Sequence, residues 1–213
     1  MVNYSFIGRI LVPPNLISKF QFGKYTMTEK SLIRKLTAIF SADVEGYSRL
    51  MGDDEAATIH TLTSYKKAMI ELIKQHRGRV VDAPGDNLLA EFASVVDAVQ
   101  CAVEVQHELA ERNKELPNKR KMVFRIGVNI GAVVQENDRI YGDGVNIAAR
   151  LESMADSGGI CISRAAYDQV KYKLPFEFRY EGEQLGKNIK EPLRVYKVLI
   201  DSEIDKASDY TPL

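Results

Sequence analysis

The sequence predicts an α+β domain. Its core is expected to be a ferredoxin-like split βαβ arrangement, an antiparallel sheet with helices on one face, with a small α/β appendage. Short apolar segments typical of strands alternate with longer segments in which apolar residues recur at helical spacing. These segments follow one another in the order β-α-β-β-α-β, which is the order of the split βαβ fold. A chain of 213 residues suffices for one such domain with short extensions.

The elements of the first half are predicted as a strand, a helix and a hairpin. They cover residues 36–44, 47–76, 79–83 and 88–92. Apolar side chains at positions 59, 62, 69 and 73 fall on one face of the helix, and Arg77-Gly78 ends it. The segment Pro84-Gly85-Asp86-Asn87 has the composition of a tight turn between the two short strands.

The second half begins with a helix for which Ser94 and Asp97 form a capping box. A long strand, or a strand pair interrupted near Gly131, is expected next, and a short helix follows it. The remaining elements alternate between strands and one helix capped by Ser163. In chain order, the segments after the Ser94 helix are 122–135, 144–154, 160–162, 176–180 and 193–199.

Composition argues against several classes of protein. Lys and Arg together number 29, as do Asp and Glu, so the chain lacks the basic excess that nucleic-acid binders use to neutralise phosphates. Two cysteines, Cys101 and Cys161, cannot form a disulfide framework and are typical of buried thiols in a reducing compartment. No apolar run approaches the length of a membrane span, so we expect a cytoplasmic domain without a transmembrane segment.

Three regions are expected along the chain. Residues 1–35 are predicted to be a basic, flexible N-terminal extension, because they carry several Lys and Arg residues against a lone Glu29 and show no periodicity. Two alternatives are a translated start that is too long, with Met27 as the natural one, and a basic segment that contacts a membrane surface or a partner. Residues 36–200 form the folded domain, and residues 201–213 form a C-terminal tail.

Two carboxylates stand out from the pattern. Asp43 lies at the end of an otherwise apolar strand, where an unpartnered charge is costly, and Asp86 lies in the hairpin turn of the neighbouring strands. In a split βαβ sheet the two side chains can converge, and paired carboxylates without nearby Cys or His suit Mg²⁺ or Mn²⁺. The alternative is that Asp86 is an ordinary turn residue and Asp43 caps the following helix.

Three segments in a consistent order resemble motifs of class III adenylate and guanylate cyclases of the bacterial type. They surround the two aspartates and an Asn/Arg pair, and they cover Phe40–Ser48, Pro84–Phe92 and Tyr141–Arg150. With the elements between them, the resemblance covers about residues 36–199 and implies a nucleotidyl cyclase catalytic domain. It further implies that Asp43, Asp86 and the backbone carbonyl of Val44 bind two divalent ions, Mg²⁺ or Mn²⁺, beside a nucleoside triphosphate.

The Asn/Arg pair lies four residues apart on a predicted helix, so Asn146 and Arg150 share a face. The resemblance assigns Asn146 to the ribose and Arg150 to the charge that develops on the α-phosphate. A planar guanidinium suits this role because it binds phosphoryl oxygens in a bidentate manner and stays protonated. The segment 185–192 resembles the late loop of the family, and this implies that Lys187 contacts the triphosphate; a solvated loop lysine is the alternative.

The sequence departs from the family at the base-reading positions. Adenylate cyclases commonly carry a lysine where this chain has Asp82, and an Asp or Thr where it has Arg139. One hypothesis is that the two charges are exchanged, with Asp82 accepting from the adenine amino group and Arg139 donating to a ring nitrogen. The same pair could read guanine, and a salt bridge that does not contact the base is a further alternative.

The resemblance implies an adenylate cyclase that converts ATP to 3′,5′-cyclic AMP and pyrophosphate in cyclic-nucleotide signalling. The nearest alternative is a guanylate cyclase acting on GTP, and an alternative of another class is a non-catalytic nucleotide-binding or dimerisation module. It also implies a head-to-tail homodimer with shared sites. Asp43 and Asp86 would come from one chain, and Asn146, Arg150 and Lys187 from the other.

Overall fold

The computed structural model describes residues 6–7, 10–11, 32–184 and 192–200. The chain divides into two compact units, residues 1–31 and 32–213. In the first unit, strands β1 (Phe6–Ile7) and β2 (Ile10–Leu11) form a short antiparallel pair. The rest of residues 1–31 and the predicted tail 201–213 lie outside the described residues, as does the loop 185–191.

The second unit contains eight strands and five helices among its described residues. The strands are β3 (Ile33–Val44), β4 (Arg79–Asp82), β5 (Leu88–Phe92), β6 (Phe124–Glu136), β7 (Arg139–Tyr141), β8 (Ile160–Ser163), β9 (Glu177–Gln184) and β10 (Leu193–Leu199). The helices are α1 (Tyr47–Asp53), α2 (Glu55–Gln75), α3 (Val95–Lys114), α4 (Asp143–Met154) and α5 (Arg164–Val170). None of the described helices is long and apolar enough to cross a membrane.

The eight strands form one sheet in the order β4-β5-β3-β6-β8-β10-β9, and β7 pairs with the end of β6. This architecture confirms the predicted α+β class. The structure corrects one detail, because β6 and β8 are parallel whereas the prediction was an antiparallel sheet. The reason is the connection: the chain leaves β6 through the β7 hairpin and returns through α4, and a helical crossover delivers the next strand in parallel.

A second detail concerns the faces of the sheet. Alternate residues of β3 point into the main core, where they pack against helices α2, α3 and α5: Ala38, Phe40, Ala42 and Val44. Ile39 points to the opposite face and packs with Val133 and Ala148, so α4 covers that face instead. The prediction of helices on one face therefore needs correction, because strand β3 buries apolar side chains on both of its sides.

The predicted helix over residues 47–76 is divided in two. Asp54 adopts an extended conformation with φ −160° and ψ 94°, and its carboxylate accepts a hydrogen bond from the amide of Ala57 at 3.0 Å. This is an N-cap, which satisfies an amide at the start of α2 that has no partner within the helix. The Ser94 cap of α3 is confirmed, since its hydroxyl accepts from the amide of Asp97 at 3.4 Å.

Candidate active site

The fold brings the two predicted metal aspartates together. Asp43 lies near the end of β3, and the adjacent strand β5 begins at Leu88, directly after the turn that carries Asp86. The two carboxylates are near enough for the charge of Asp86 to act on the Asp43 carboxyl. Burial is the largest cause that raises the pKa of Asp43, and the negative charge of Asp86 raises it further. The convergence that the topology predicted is therefore present.

This pair has the properties of a cation site. Asp43 Oδ1 is buried and has no hydrogen-bond partner in the described part of the chain. The described residues contain no group of three or more Asp, Glu, His or Cys side chains that could enclose an ion. Two carboxylates with the rest of the coordination left to water and phosphate oxygens fit the demands of Mg²⁺ or Mn²⁺. The backbone amide of Val44 lowers the pKa of the Asp43 carboxyl and so opposes the effect of burial.

The turn that carries Asp86 is fixed by a lysine that the sequence analysis missed. Lys66 Nζ on α2 donates to the carbonyl oxygens of Ala83 at 3.0 Å and Gly85 at 2.5 Å. Burial lowers the pKa of Lys66, while the charges of Asp86 and Asp43 raise it. The available signal was a cation four residues after Leu62 within the apolar stripe of the helix.

Two further charged side chains adjoin Asp43. Arg125 on β6 is the cross-strand partner of Asp43, and its Nη2 lies 3.5 Å from Asp43 Oδ2. Glu152 on α4 is 6% exposed, and its Oε2 accepts a hydrogen bond from Ser41 Oγ at 2.8 Å. Burial raises the pKa of Glu152 to about 7, and the charges of Asp43 and Asp86 contribute to the increase.

The raised pKa of Glu152 predicts a pH-dependent stability in the metal-free protein. Below its ordinary value of 4.5 the carboxyl is protonated whether the chain is folded or unfolded, so its full contribution to stability is present. As the pH rises through about 7, the unfolded chain has already released the proton that the folded chain retains, and stability is lost. A shift from 4.5 to about 7 corresponds to about 3 kcal/mol.

Glu152→Gln removes this titration, so the variant is expected to gain stability relative to the wild type between pH 4.5 and pH 8. Thermal unfolding at both pH values, with metals removed by chelation, measures the difference. The matched control is Glu71→Gln on the exposed side of α2, which removes a carboxyl without removing a buried one. An identical change in melting temperature at both pH values for Glu152→Gln would contradict the assignment.

The predicted Asn/Arg pair lies on α4, on the side away from Asp43. Asn146 is exposed and Arg150 is half-buried. Successive helical residues are about 100° apart, so Arg150 points about 160° away from Glu152, which faces β3. The structure therefore confirms that Asn146 and Arg150 share a helix, but within one chain it places them away from the two aspartates.

The predicted base-reading residues lie on neighbouring parts of the sheet. Asp82 ends β4, and its carboxylate accepts from the amide of Ala83 at 2.9 Å. Arg139 is exposed at the start of β7. In the described portions of the chain no ion pair joins Asp82 to Arg139, so the alternative of a salt bridge within one chain has no support. Lys187 lies outside the described residues.

Known proteins resemble this chain over most of its length. A family model described as the adenylate and guanylate cyclase catalytic domain matches residues 29–199. "Putative adenylate cyclase 3" from Rhizobium meliloti (strain 1021) is 42% identical over 172 residues, which cover 80% of this chain and 29% of the relative. The chain thus spans less than a third of that relative.

Solved structures agree with this match. An adenylate/guanylate cyclase/hydrolase from Silicibacter pomeroyi is 37% identical with a TM-score of 0.75, and the similarity covers 80% of this chain and 100% of that one. The adenylyl cyclase CyaB from P. aeruginosa is 23% identical with a TM-score of 0.69, over 79% of this chain and 96% of that one. The second similarity concerns the fold alone.

Proposed function

Because the chain belongs to the family of adenylate and guanylate cyclase catalytic domains, we propose that it converts ATP to 3′,5′-cyclic AMP and pyrophosphate. The observation that carries this proposal is the pair Asp43 and Asp86, with a buried carboxylate oxygen that lacks a partner among the described residues. Two carboxylates of this kind would hold a divalent cation, whose charge would offset theirs beside a bound triphosphate.

The proposed reaction is intramolecular. The ribose 3′-oxygen attacks the α-phosphorus, a new P–O bond forms, the bond to the β-phosphate oxygen breaks, and pyrophosphate leaves. Asp43, Asp86 and the Val44 carbonyl would hold two divalent ions, which would supply activation of the hydroxyl and neutralisation of the triphosphate. Asn146 orients the ribose, and Arg150 stabilises the charge on the α-phosphate. Asp43, water or the substrate phosphate accepts the hydroxyl proton.

The proposed active form is a head-to-tail homodimer with two shared sites. In one chain Arg150 points away from Asp43, which supports a site completed by Asn146, Arg150 and Lys187 of a second chain. The resemblance to the family assigns Lys187 to the triphosphate. A cyclase of this kind would act in cyclic-nucleotide signalling.

Incubation of the purified chain with ATP or GTP, each with Mn²⁺ and then with Mg²⁺, tests the activity. We expect cyclic AMP, identified by chromatography, and we expect none from Asp43→Asn, because that variant removes a charge on which the divalent ions depend. Asp53→Asn on the exposed end of α1 is the matched control and should keep its activity. Nucleotide binding without any release of pyrophosphate would favour the non-catalytic binding module instead.

GTP is the second candidate substrate, and Asp82 is the observation that favours it. Guanine has two neighbouring N–H donors from which a carboxylate can accept hydrogen bonds, whereas adenine has one amino group. Formation of cyclic GMP in the same assay would keep the proposed mechanism and overturn the choice of base.

Exchange of the two base-reading charges gives a further prediction. The double variant Asp82→Lys/Arg139→Asp places a donor and an acceptor in the arrangement common in adenylate cyclases. We expect the ratio of kcat/KM for ATP to that for GTP to change by about tenfold or more, since a lost or gained hydrogen bond to a base is worth about 1–3 kcal/mol. Measured kcat/KM values for both nucleotides provide the test, and an unchanged ratio would show that neither residue contacts the base.

A further inference from the structure

Helix α4 has two faces with different roles. The inner face packs closely on the sheet, because Gly127 of β6 has no side chain and a Cβ there would overlap the carbonyl of Ala148 and the amide of Glu152. The outer face carries Asn146 and Arg150. Any contact that fixes the inner face on the sheet therefore also fixes the position of Arg150.

The polar contact on the inner face is made by a buried pair. Ser41 and Glu152 are both 6% exposed, and the Ser41 hydroxyl donates to the Glu152 carboxyl at 2.8 Å. Ser41 lies on the same side of β3 as Asp43, two residues along the strand. A second, longer contact joins Arg125 Nη1 to the carbonyl of Ser153 at 3.5 Å. The last turn of α4 is thus attached to the strand that carries a metal aspartate.

We propose that Glu152 is a positioning residue that, through Ser41, fixes α4 and so sets the position of Arg150. The inference rests on the proposed cyclase function and on its shared sites. Under that arrangement Glu152 lies beside the metal aspartates of one site, yet the arginine that it positions serves the other site. The hydrogen bond therefore couples the two halves of the dimer.

A double-mutant cycle in the homodimer tests the contact. Glu152→Leu and Ser41→Ala are each expected to lower kcat about tenfold with little change in KM, because misplacement of a group that acts in the transition state affects kcat. The double variant should lose no more than either single one, since all three lack the same hydrogen bond. Glu152→Gln can still accept from Ser41 and should recover most of the activity.

Two measurements separate positioning from folding and from metal binding. Mn²⁺ affinity without nucleotide, measured by electron paramagnetic resonance, should stay close to that of the wild type in Glu152→Leu. Melting temperatures identify a general loss of structure. Additive losses of kcat in the cycle, or a loss in Glu152→Leu that follows a weakened Mn²⁺ affinity, would overturn the proposal.

A dimer with one intact site then shows on which site Glu152 acts. Asp43→Ala chains supply Arg150, and Arg150→Ala chains supply Asp43, so their mixed dimer contains one complete site. Glu152→Leu placed on the arginine-supplying chain should lower kcat about tenfold, whereas on the metal-supplying chain it should have little effect. Equal losses on either chain would overturn the inference alone. No activity in the mixed dimer without Glu152→Leu would instead overturn the shared-site function and with it the coupling.

Discussion

Asp43→Ala protein and Arg150→Ala protein are each expected to be inactive, with losses on the order of a thousandfold, whereas their mixture should recover about a quarter of the wild-type activity. Random exchange of chains makes about half of the dimers mixed, and each mixed dimer has one intact site out of two. The physical reason is the geometry of α4, which directs Arg150 away from the Asp43 of its own chain. Rates of cyclic nucleotide formation before and after mixing provide the measurement.

The matched control is a mixture in which both substitutions lie in the same half of the site. Asp43 and Asp86 approach each other within one chain, so Asp43→Ala mixed with Asp86→Ala leaves no site with both carboxylates. This mixture should stay inactive. Activity in the control, or no recovery in the first mixture once chain exchange has been verified by mass spectrometry, would contradict the shared site.

The sequence was sufficient for the features that depend on local pattern. Alternation and helical spacing predicted most strands and helices to within a few residues, because a side chain's face follows from its position in the element. The convergence of Asp43 and Asp86 followed from topology. Asp43 lies near the end of β3, and Asp86 lies in the turn before β5, the strand that pairs with β3. The division of the predicted helix at Asp54 was missed. Asp54, an acidic residue that caps α2, was itself a signal, but the apolar pattern continues on both sides of it and predicted a single helix.

The supporting residues of the site could not be predicted, because their roles depend on contacts far apart in the chain. Glu152 meets Ser41 across 111 residues, and Arg125 meets Asp43 only through the register of β3 and β6. From its position in the predicted helix 144–154, Glu152 would be expected to be an ordinary exposed acidic residue. Glu152 is buried because α4 packs on the second face of the sheet. The prediction placed the helices on one face and therefore had no helix at that position.

Gly127→Ala is expected to disturb the packing of α4 on the sheet and to lower the free energy of unfolding by about 3 kcal/mol. A Cβ at this position would overlap two backbone groups of α4, the carbonyl of Ala148 and the amide of Glu152, and backbone atoms cannot rotate away as the end of a flexible side chain can. The helix must therefore move off the sheet. We expect the melting temperature to fall by about 10 °C and kcat to fall with it, because Arg150 moves with the helix.

The matched control is Gly52→Ala in α1, where an added Cβ meets no atom within 4 Å. Its melting temperature should stay the same or rise slightly, since alanine favours a helix over glycine by about 1 kcal/mol. Mn²⁺ binding to Gly127→Ala should survive below its melting temperature, because Asp43 and Asp86 belong to β3 and to the turn before β5 and not to α4. If Gly127→Ala unfolds at the wild-type temperature with an unchanged kcat, then α4 does not need its close contact with β6, and the packing argument for the position of Arg150 fails.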